Sequence, residues 1–171
     1  MKINVEYHQP AASAAQLEAL ENALSVKFPV GSGEILRTFA GARFAENVHG
    51  KYGQVSILKF CPLRSGEDSI AQTYEKYRER IPKSLVPVAV AEGGNLLLVS
   101  VENGEVFFWD HELEDYDEQS DGSEACVKLA DSLSEFLDDL KPTENTPPNA
   151  KVVSVKIDPA FAAKFGLKVP K

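Results

Sequence analysis

The longest run of apolar positions lies within residues 85–112, and it predicts three short β-strands joined by tight turns. The turn pairs are Gly93-Gly94 and Asn103-Gly104, residue types that tolerate the positive φ that two-residue hairpin loops require. Because Leu, Val and Phe occupy consecutive positions, we expect this meander to be central and covered on both faces or nearly so. The expected strands are residues 86–91, 96–101 and 105–109.

Elsewhere apolar residues recur with the 3.6-residue period of amphipathic helices. Three helices are expected at residues 13–25, 32–39 and 68–80. A fourth has its apolar stripe on Leu133, Phe136, Leu137 and Leu140, and Ser132 and Glu135 have the spacing of a capping box at its start. Two further strands are expected at residues 54–60 and 125–129, and residues 43–51 are expected to form a loop.

These elements predict an α+β domain, with helices packed on one side of a mostly antiparallel sheet of about five or six strands. With 171 residues, of which 43% are hydrophobic, the chain is long enough for one core and short for two. We expect the domain to span residues 1–141. Residues 142–171 are expected to form a C-terminal extension with a proline-rich linker, a strand at 151–157 and a short helix. That strand alternates like an edge strand, so we expect it to dock on the domain or on a second copy.

The meander also contains an ordered series of motifs. A proline and small apolar residues precede Glu92-Gly93-Gly94-Asn95, an apolar strand leads to Asn103-Gly104, and an aromatic strand ends in Trp109-Asp110-His111-Glu112. This order resembles the SUKH superfamily, which contains the fungal Smi–Knr cell-wall regulators and many bacterial toxin-immunity proteins. The likeness covers about residues 14–140. Two positions depart from the family pattern: Ala40-Gly41-Ala42 stands where Asn-Gly-Gly is common, and Leu133 stands where Phe is usual.

The formal net charge of −8 is concentrated in residues 110–124, which we call the acidic segment. Of the 26 acidic residues in the chain eight lie here, without any Lys or Arg, which leaves 18 acidic against 18 basic residues elsewhere. Such a block repels itself and cannot be buried unpaired, so we expect a solvated loop or part of an interface. The eight are Asp110, Glu112, Glu114, Asp115, Asp117, Glu118, Asp121 and Glu124.

Patterns for catalysis or metal binding are weak. His8, His49 and His111 lack the spacing that places two imidazoles on one helix face, and Cys61 and Cys126 are expected to be buried or idle thiols. Residues 117–122 resemble the start of an EF-hand loop, but Lys128 stands where a bidentate Glu is needed. We therefore expect no enzyme, no cofactor and no metal, although a looser cation site in the acidic segment remains open.

Two sites at the end of the third meander strand allow alternative interpretations. Asp110, His111 and Glu112 are either the polar end of a strand or an acid–base cluster, and His111 is also a candidate for a pH-sensitive contact. Trp109 is expected to pack under a helix, with a partly exposed interface anchor as the alternative.

The resemblance implies a non-catalytic protein-binding domain: an immunity protein that neutralises a cognate bacterial toxin in the cytoplasm. An acidic surface would complement a secreted toxin domain with a basic cleft, whereas solubility alone is the other explanation of the acidic segment. The partner-binding residues expected here are Asp110, His111, Glu112, Glu114, Asp115, Asp117, Glu118 and Asp121.

Two other functions stay open, a regulatory scaffold for signalling or cell-wall synthesis partners and an enzyme or small-ligand carrier. We expect no nucleic-acid partner. We expect no membrane partner either, since no apolar run approaches the ~20 residues of a membrane helix. The protein is expected to be a monomer or a homodimer.

Overall fold

The computed structural model of the chain describes residues 5–7, 9–50, 55–113 and 122–142. The helices in these residues are α1 (Ala14–Leu24), α2 (Val30–Phe39), α3 (Ile70–Tyr77) and α4 (Leu133–Asp138). The strands are β1 (Val5–Tyr7), β2 (Arg43–Phe44), β3 (Glu46–His49), β4 (Val55–Phe60), β5 (Leu85–Ala91), β6 (Leu96–Ser100), β7 (Val106–Trp109), β8 (Cys126–Ala130) and β9 (Lys141–Pro142). In this part of the chain, no helix is long and apolar enough to cross a membrane.

The main sheet has the strand order β8-β7-β6-β5-β4-β3-β9, and every neighbouring pair is antiparallel. Strands β1 and β2 form a separate two-stranded sheet. The predicted α+β class is therefore confirmed, but the main sheet has seven strands instead of five or six. The extra strands are the short β3 and β9, which extend the sheet beyond β4.

The meander of β5, β6 and β7 lies at the centre of this sheet with both faces covered, as predicted. Alternate residues of β6 point to opposite faces. Leu97 and Val99 belong to the main core, which contains residues from α1, α2 and α4, while Leu96 and Leu98 belong to a second, smaller cluster. Helix α3 contributes to both clusters, with Ile70 in the main core and Tyr77 at the smaller one.

The loop between β5 and β6 is one residue longer than the predicted two-residue turn. The Ala91 N–H donates to the Asn95 carbonyl oxygen at 2.9 Å, so residues 92–94 form the loop. Gly93 and Gly94 have φ values of 74° and 87°, which L-residues with a side chain rarely adopt. The glycine pair is thus required, although for a wider loop than predicted.

The loop between β6 and β7 also differs from the two-residue prediction. The Ser100 N–H donates to the Glu105 carbonyl oxygen at 2.9 Å, so residues 101–104 form a four-residue loop. The Ser100 hydroxyl accepts hydrogen bonds from the N–H groups of Glu102 and Asn103, which support this wider turn. Gly104 has φ 82°, while Asn103 is not among the residues with positive φ.

The prediction of a loop at residues 43–51 was wrong, because this stretch contains β2 and β3. Strand β3 pairs with β4 on one side and β9 on the other, and both Val48 and His49 are buried. Burial of consecutive residues removes the two-residue alternation by which a strand is recognised in a sequence.

The predicted helices are present, and the ends of α2 and α3 differ most from the prediction. Helix α2 begins two residues earlier than predicted, and α3 begins at Ile70 after its cap Ser69 and ends at Tyr77. In α4 the Ser132 hydroxyl accepts from the Glu135 N–H at 3.2 Å, as a capping residue should. The Glu135 carboxylate, however, accepts from the Asp131 N–H at 2.7 Å, one residue before the predicted partner.

Candidate partner-binding site

The site lies at the end of the β6–β7 hairpin opposite its connecting loop. Leu96 pairs with Trp109 at this end of the ladder. Asn95 directly precedes Leu96 in the chain, and Asp110 directly follows Trp109. The pairing of Leu96 with Trp109 therefore brings the β5–β6 loop beside the residues that follow β7.

Asn95 connects these two loops through its side chain. Its Oδ1 accepts a hydrogen bond from the His111 N–H at 3.2 Å and lies 2.7 Å from His111 Nδ1. The backbone N–H can only donate, so the Asn95 atom facing it is the oxygen. Because an amide oxygen can only accept, Nδ1 of His111 must hold a proton. The imidazole is therefore fixed in position and in protonation at one nitrogen.

Gly94 lies beside this imidazole. A Cβ built on Gly94 would be 3.7 Å from His111 Cε1, an ordinary contact, so space alone does not require glycine here. The requirement comes from the φ of 87°. The β5–β6 loop thus lies against the ring while Asn95 holds its edge.

Residues Asp110, His111, Glu112 and Leu113 form an exposed turn after β7, which we call the His111 surface. The Asp110 carboxylate accepts from the Glu112 N–H at 3.1 Å, and its carbonyl oxygen accepts from the Leu113 N–H at 3.1 Å. Glu112 is exposed, Asp110 and His111 are half-buried, and Leu113 is 51% exposed. An apolar side chain is therefore presented among acidic ones on a hydrogen-bonded turn.

Trp109 lies beneath this turn and supports it. The indole is fully buried, and Tyr77 contacts it edge-on at a centroid distance of 5.3 Å. The Arg80 guanidinium lies 5.1 Å from the centre of the indole ring, within the range of a cation–π interaction. The prediction that Trp109 packs under a helix is confirmed, and its burial corrects the alternative of a partly exposed interface anchor.

Both ends of the acidic segment are anchored near Trp109. At its start the Asp110 N–H donates to the Ala125 carbonyl oxygen at 2.9 Å. Towards its end Gly122 has φ 75° and lies so close to Arg80 that an added Cβ would overlap the Arg80 carbonyl oxygen. The structure thus brings Asp110, His111 and Glu112 together. The other five predicted binding residues, Glu114, Asp115, Asp117, Glu118 and Asp121, lie outside the described residues.

A hollow of about 280 Å³ lies beside the His111 surface, between α3 and the β5–β6 loop. Tyr77, Leu96 and Gly94 line it, and a Cβ built on Gly94 would lie 3.7 Å from His111 Cε1. Lys76 also lines it, with Nζ 4.7 Å from the centre of the Tyr77 ring. Asp68 lines the hollow as well, so its wall combines an aromatic ring with side chains of both charges.

Cys61 and His49 lie elsewhere in the domain. Cys61 is buried, and burial raises the pKa of its thiol to about 12. His49 is also buried, where it stacks on Phe136 at 5.1 Å with its Nε2 3.9 Å from an Asp139 carboxylate oxygen. In the described ranges, no group of three or more His, Cys, Asp or Glu side chains could hold a metal ion.

The sequence analysis missed the side-chain function of Asn95, which it treated only as a turn residue. Asn95 and His111 are 16 residues apart and meet only because of the β6–β7 register. The available signal was the hairpin itself: once Leu96 is paired with Trp109, the residues just beyond the pair must face each other. Leu113 was missed as well, because a single leucine among acidic residues forms no apolar pattern.

Comparison with known proteins agrees with this structure. A profile of the SMI1/KNR4 family (SUKH-1) matches residues 11–139, which include the complete His111 surface. The chain is also 28% identical over 112 residues to an SPbeta prophage-derived uncharacterized protein, YokK, of Bacillus subtilis (strain 168). That alignment covers 64% of this chain and 55% of the relative, so the chain spans about half the length of this curated relative. Since the profile covers most of the chain, the protein belongs to the SMI1/KNR4 (SUKH-1) family.

Proposed function

We propose that this protein is an immunity protein, which neutralises a bacterial toxin in the cytoplasm by binding it directly and without turning it over. Membership of a family that includes toxin-immunity proteins supports this function. The structural observation that carries the proposal is the His111 surface, an exposed acidic turn fixed on the end of a buried hairpin by the Asn95–His111 contact.

The geometry of this surface suits protein recognition. Its backbone is held by hydrogen bonds within the turn and by Trp109 beneath it, so little conformational entropy remains to be lost on binding. Leu113 provides apolar area that a partner can bury, and the surrounding carboxylates provide charge at the rim.

The charge of the surface indicates the kind of partner. Asp110 and Glu112 lie at the start of a segment that contains the whole formal net charge of −8. A toxin domain with a basic active-site cleft would be attracted to this segment at long range, which speeds encounter and disfavours partners of like charge.

The function is tested by co-expression. Each toxin domain encoded next to this gene is expressed in a sensitive host with and without the protein, and binding is measured with the purified pair. We expect the protein to rescue growth against one of these toxins and to form a stable complex with that toxin domain. Failure to rescue growth against every neighbouring toxin, together with a hydrolytic activity of the protein alone, would contradict the proposal.

The contribution of the acidic segment is tested with a charge-matched pair of variants. One carries Asp115→Asn, Asp117→Asn and Glu118→Gln, and the control carries Glu18→Gln, Glu34→Gln and Glu67→Gln, which are exposed on other parts of the domain. Both lose three negative charges. If the segment attracts the partner, only the first should associate more slowly and lose part of its salt dependence. Equal association rates in the two variants would leave solubility as the explanation of the segment.

A further inference from the structure

The second nitrogen of His111 is open to a partner. Oδ1 of Asn95 accepts hydrogen bonds from Nδ1 and from the backbone N–H of His111. The described residues provide no hydrogen-bond partner for Nε2. The His111 side chain is half-buried, so part of it is open to solvent.

The Asn95 contact determines what Nε2 can do. A neutral imidazole has one nitrogen that donates and one that accepts. Because Nδ1 holds its proton towards Asn95, Nε2 of the neutral ring has a lone pair and can only accept. The adjacent Asp110 and Glu112 side chains end in carboxylates, which also accept when ionised. The His111 surface therefore offers hydrogen-bond acceptors from three consecutive side chains.

We propose that His111 is a recognition residue, whose Nε2 accepts a hydrogen bond from a lysine or arginine side chain of the partner, and that Asn95 is the residue that positions it. This inference rests on the proposed function, since it names the chemistry by which the partner is recognised. If the contact with Asn95 were only structural, residue 111 would need just two donors, its backbone N–H and one side-chain N–H. An asparagine at position 111 could supply both. The imidazole adds Nε2, which the contact does not use.

The first test needs no partner. Long-range ¹H–¹⁵N NMR spectra of the imidazole nitrogens distinguish the neutral ring from the charged one, and in the neutral ring they identify the protonated nitrogen. We expect His111 of the wild-type protein to be protonated at Nδ1, and the Asn95→Ala variant to shift towards protonation at Nε2. A wild-type ring protonated at Nε2 would overturn the proposal.

The second test separates recognition from structure. In His111→Asn the amide N–H can replace Nδ1–H towards Asn95, but nothing replaces Nε2. In His111→Gln the longer amide reaches the position of Nε2 and gives up the contact with Asn95. We expect His111→Asn to melt like the wild type but to bind the toxin domain about 10- to 100-fold more weakly, as loss of a hydrogen bond to a charged group implies. His111→Gln should melt lower and lose less affinity. Wild-type affinity of His111→Asn would overturn the proposal.

An octa-arginine peptide serves as a probe that does not depend on the toxin. Its addition should shift the imidazole ¹⁵N resonances of His111 in the wild type and shift them less in Asn95→Ala, while the buried His49 provides an internal control. If no toxin binds the wild type, the proposed function fails, but this titration still decides the recognition chemistry. Resonances of His111 that do not respond would overturn it.

Discussion

At the scale of single residues, Gly122 shows how closely the backbone segments around the acidic segment pack. Its φ of 75° alone should cost alanine about 1–2 kcal/mol, and the added Cβ would also overlap the Arg80 carbonyl oxygen. Gly93 is a matched control, because its φ is 74° but the nearest atom to its added Cβ is 3.6 Å away. Gly122→Ala should therefore lower the free energy of unfolding by clearly more than Gly93→Ala, as measured by urea denaturation.

Equal losses in these two variants would show that the chain relaxes around Gly122 without cost. The end of the acidic segment would then not be held against Arg80, and the anchoring described above would be wrong.

Cys61 leads to a prediction about reactivity. Its thiol is buried, and burial raises its pKa from 9.0 to about 12, so almost no thiolate exists at pH 8. Cys126 is only half-buried, and its thiol donates to the Gly122 carbonyl oxygen at 3.4 Å. A thiol reagent at pH 8 should thus label at most one cysteine in the folded protein and both in urea. Rapid labelling of Cys61 in the folded protein would contradict its burial.

The same pKa determines how Cys61 affects stability at high pH. The folded state keeps this thiol neutral, while the unfolded chain ionises it near pH 9. The contribution to stability is therefore complete below about pH 9 and is lost as the pH rises towards about 12. A Cys61→Ala variant should show a weaker decline of stability over that range.

At the scale of elements, a helix or strand could be predicted where its own residues show the pattern typical of that structure. Strands β5, β6 and β7 were predicted because each is a short apolar run that ends or begins at a glycine-containing turn. Strand β3 was not, because Glu46–His49 has no apolar run and is a strand only through pairing with β4 and β9. The loop lengths were also missed, since the Ser100 hydroxyl that supports the wider turn lies outside the Asn-Gly motif.

The start of α4 offers a test of a capping contact that both sequence and structure show. Ser132→Ala removes the hydroxyl that accepts from the Glu135 N–H and should cost about 1 kcal/mol of stability. Ser134→Ala is the control, because Ser134 is exposed within the same helix and alanine is a better helix former. Thermal denaturation should show a loss for the first and no loss for the second. If both variants melt alike, the cap does not stabilise α4.

At the scale of the whole molecule, the sequence shows where the net charge lies along the chain but not which contacts position the residues that carry it. Asp110, His111 and Glu112 were predicted as partner-binding residues from the family resemblance, together with the block of like charge that must stay in contact with solvent. That prediction of binding stays untested. The contact that fixes His111 depends on Asn95, which lies beside it because Leu96 pairs with Trp109 in the β6–β7 ladder.

The C-terminal extension leads to a prediction at the same scale. Residues 143–171 lie outside the described residues, and the chain reaches them from β9, which pairs Lys141 with Val48 and Pro142 with Glu46. We expect the alternating strand at residues 151–157 to add to an open sheet edge of this domain or of a second copy, where its backbone groups would be satisfied. Among the described strands, β8 is the edge farthest from β9.

Truncation after Pro142 should then lower the melting temperature or change the molar mass measured by light scattering. Val153→Pro combined with Val155→Pro is the matched variant, because it keeps the length and the five lysines of residues 142–171 but removes two backbone donors from the strand. If the extension acts by strand addition, both variants should change in the same direction. A change in the truncated protein alone would assign the effect to charge or to the rest of the tail. An unchanged melting temperature and molar mass in both would show that the extension has no structural function.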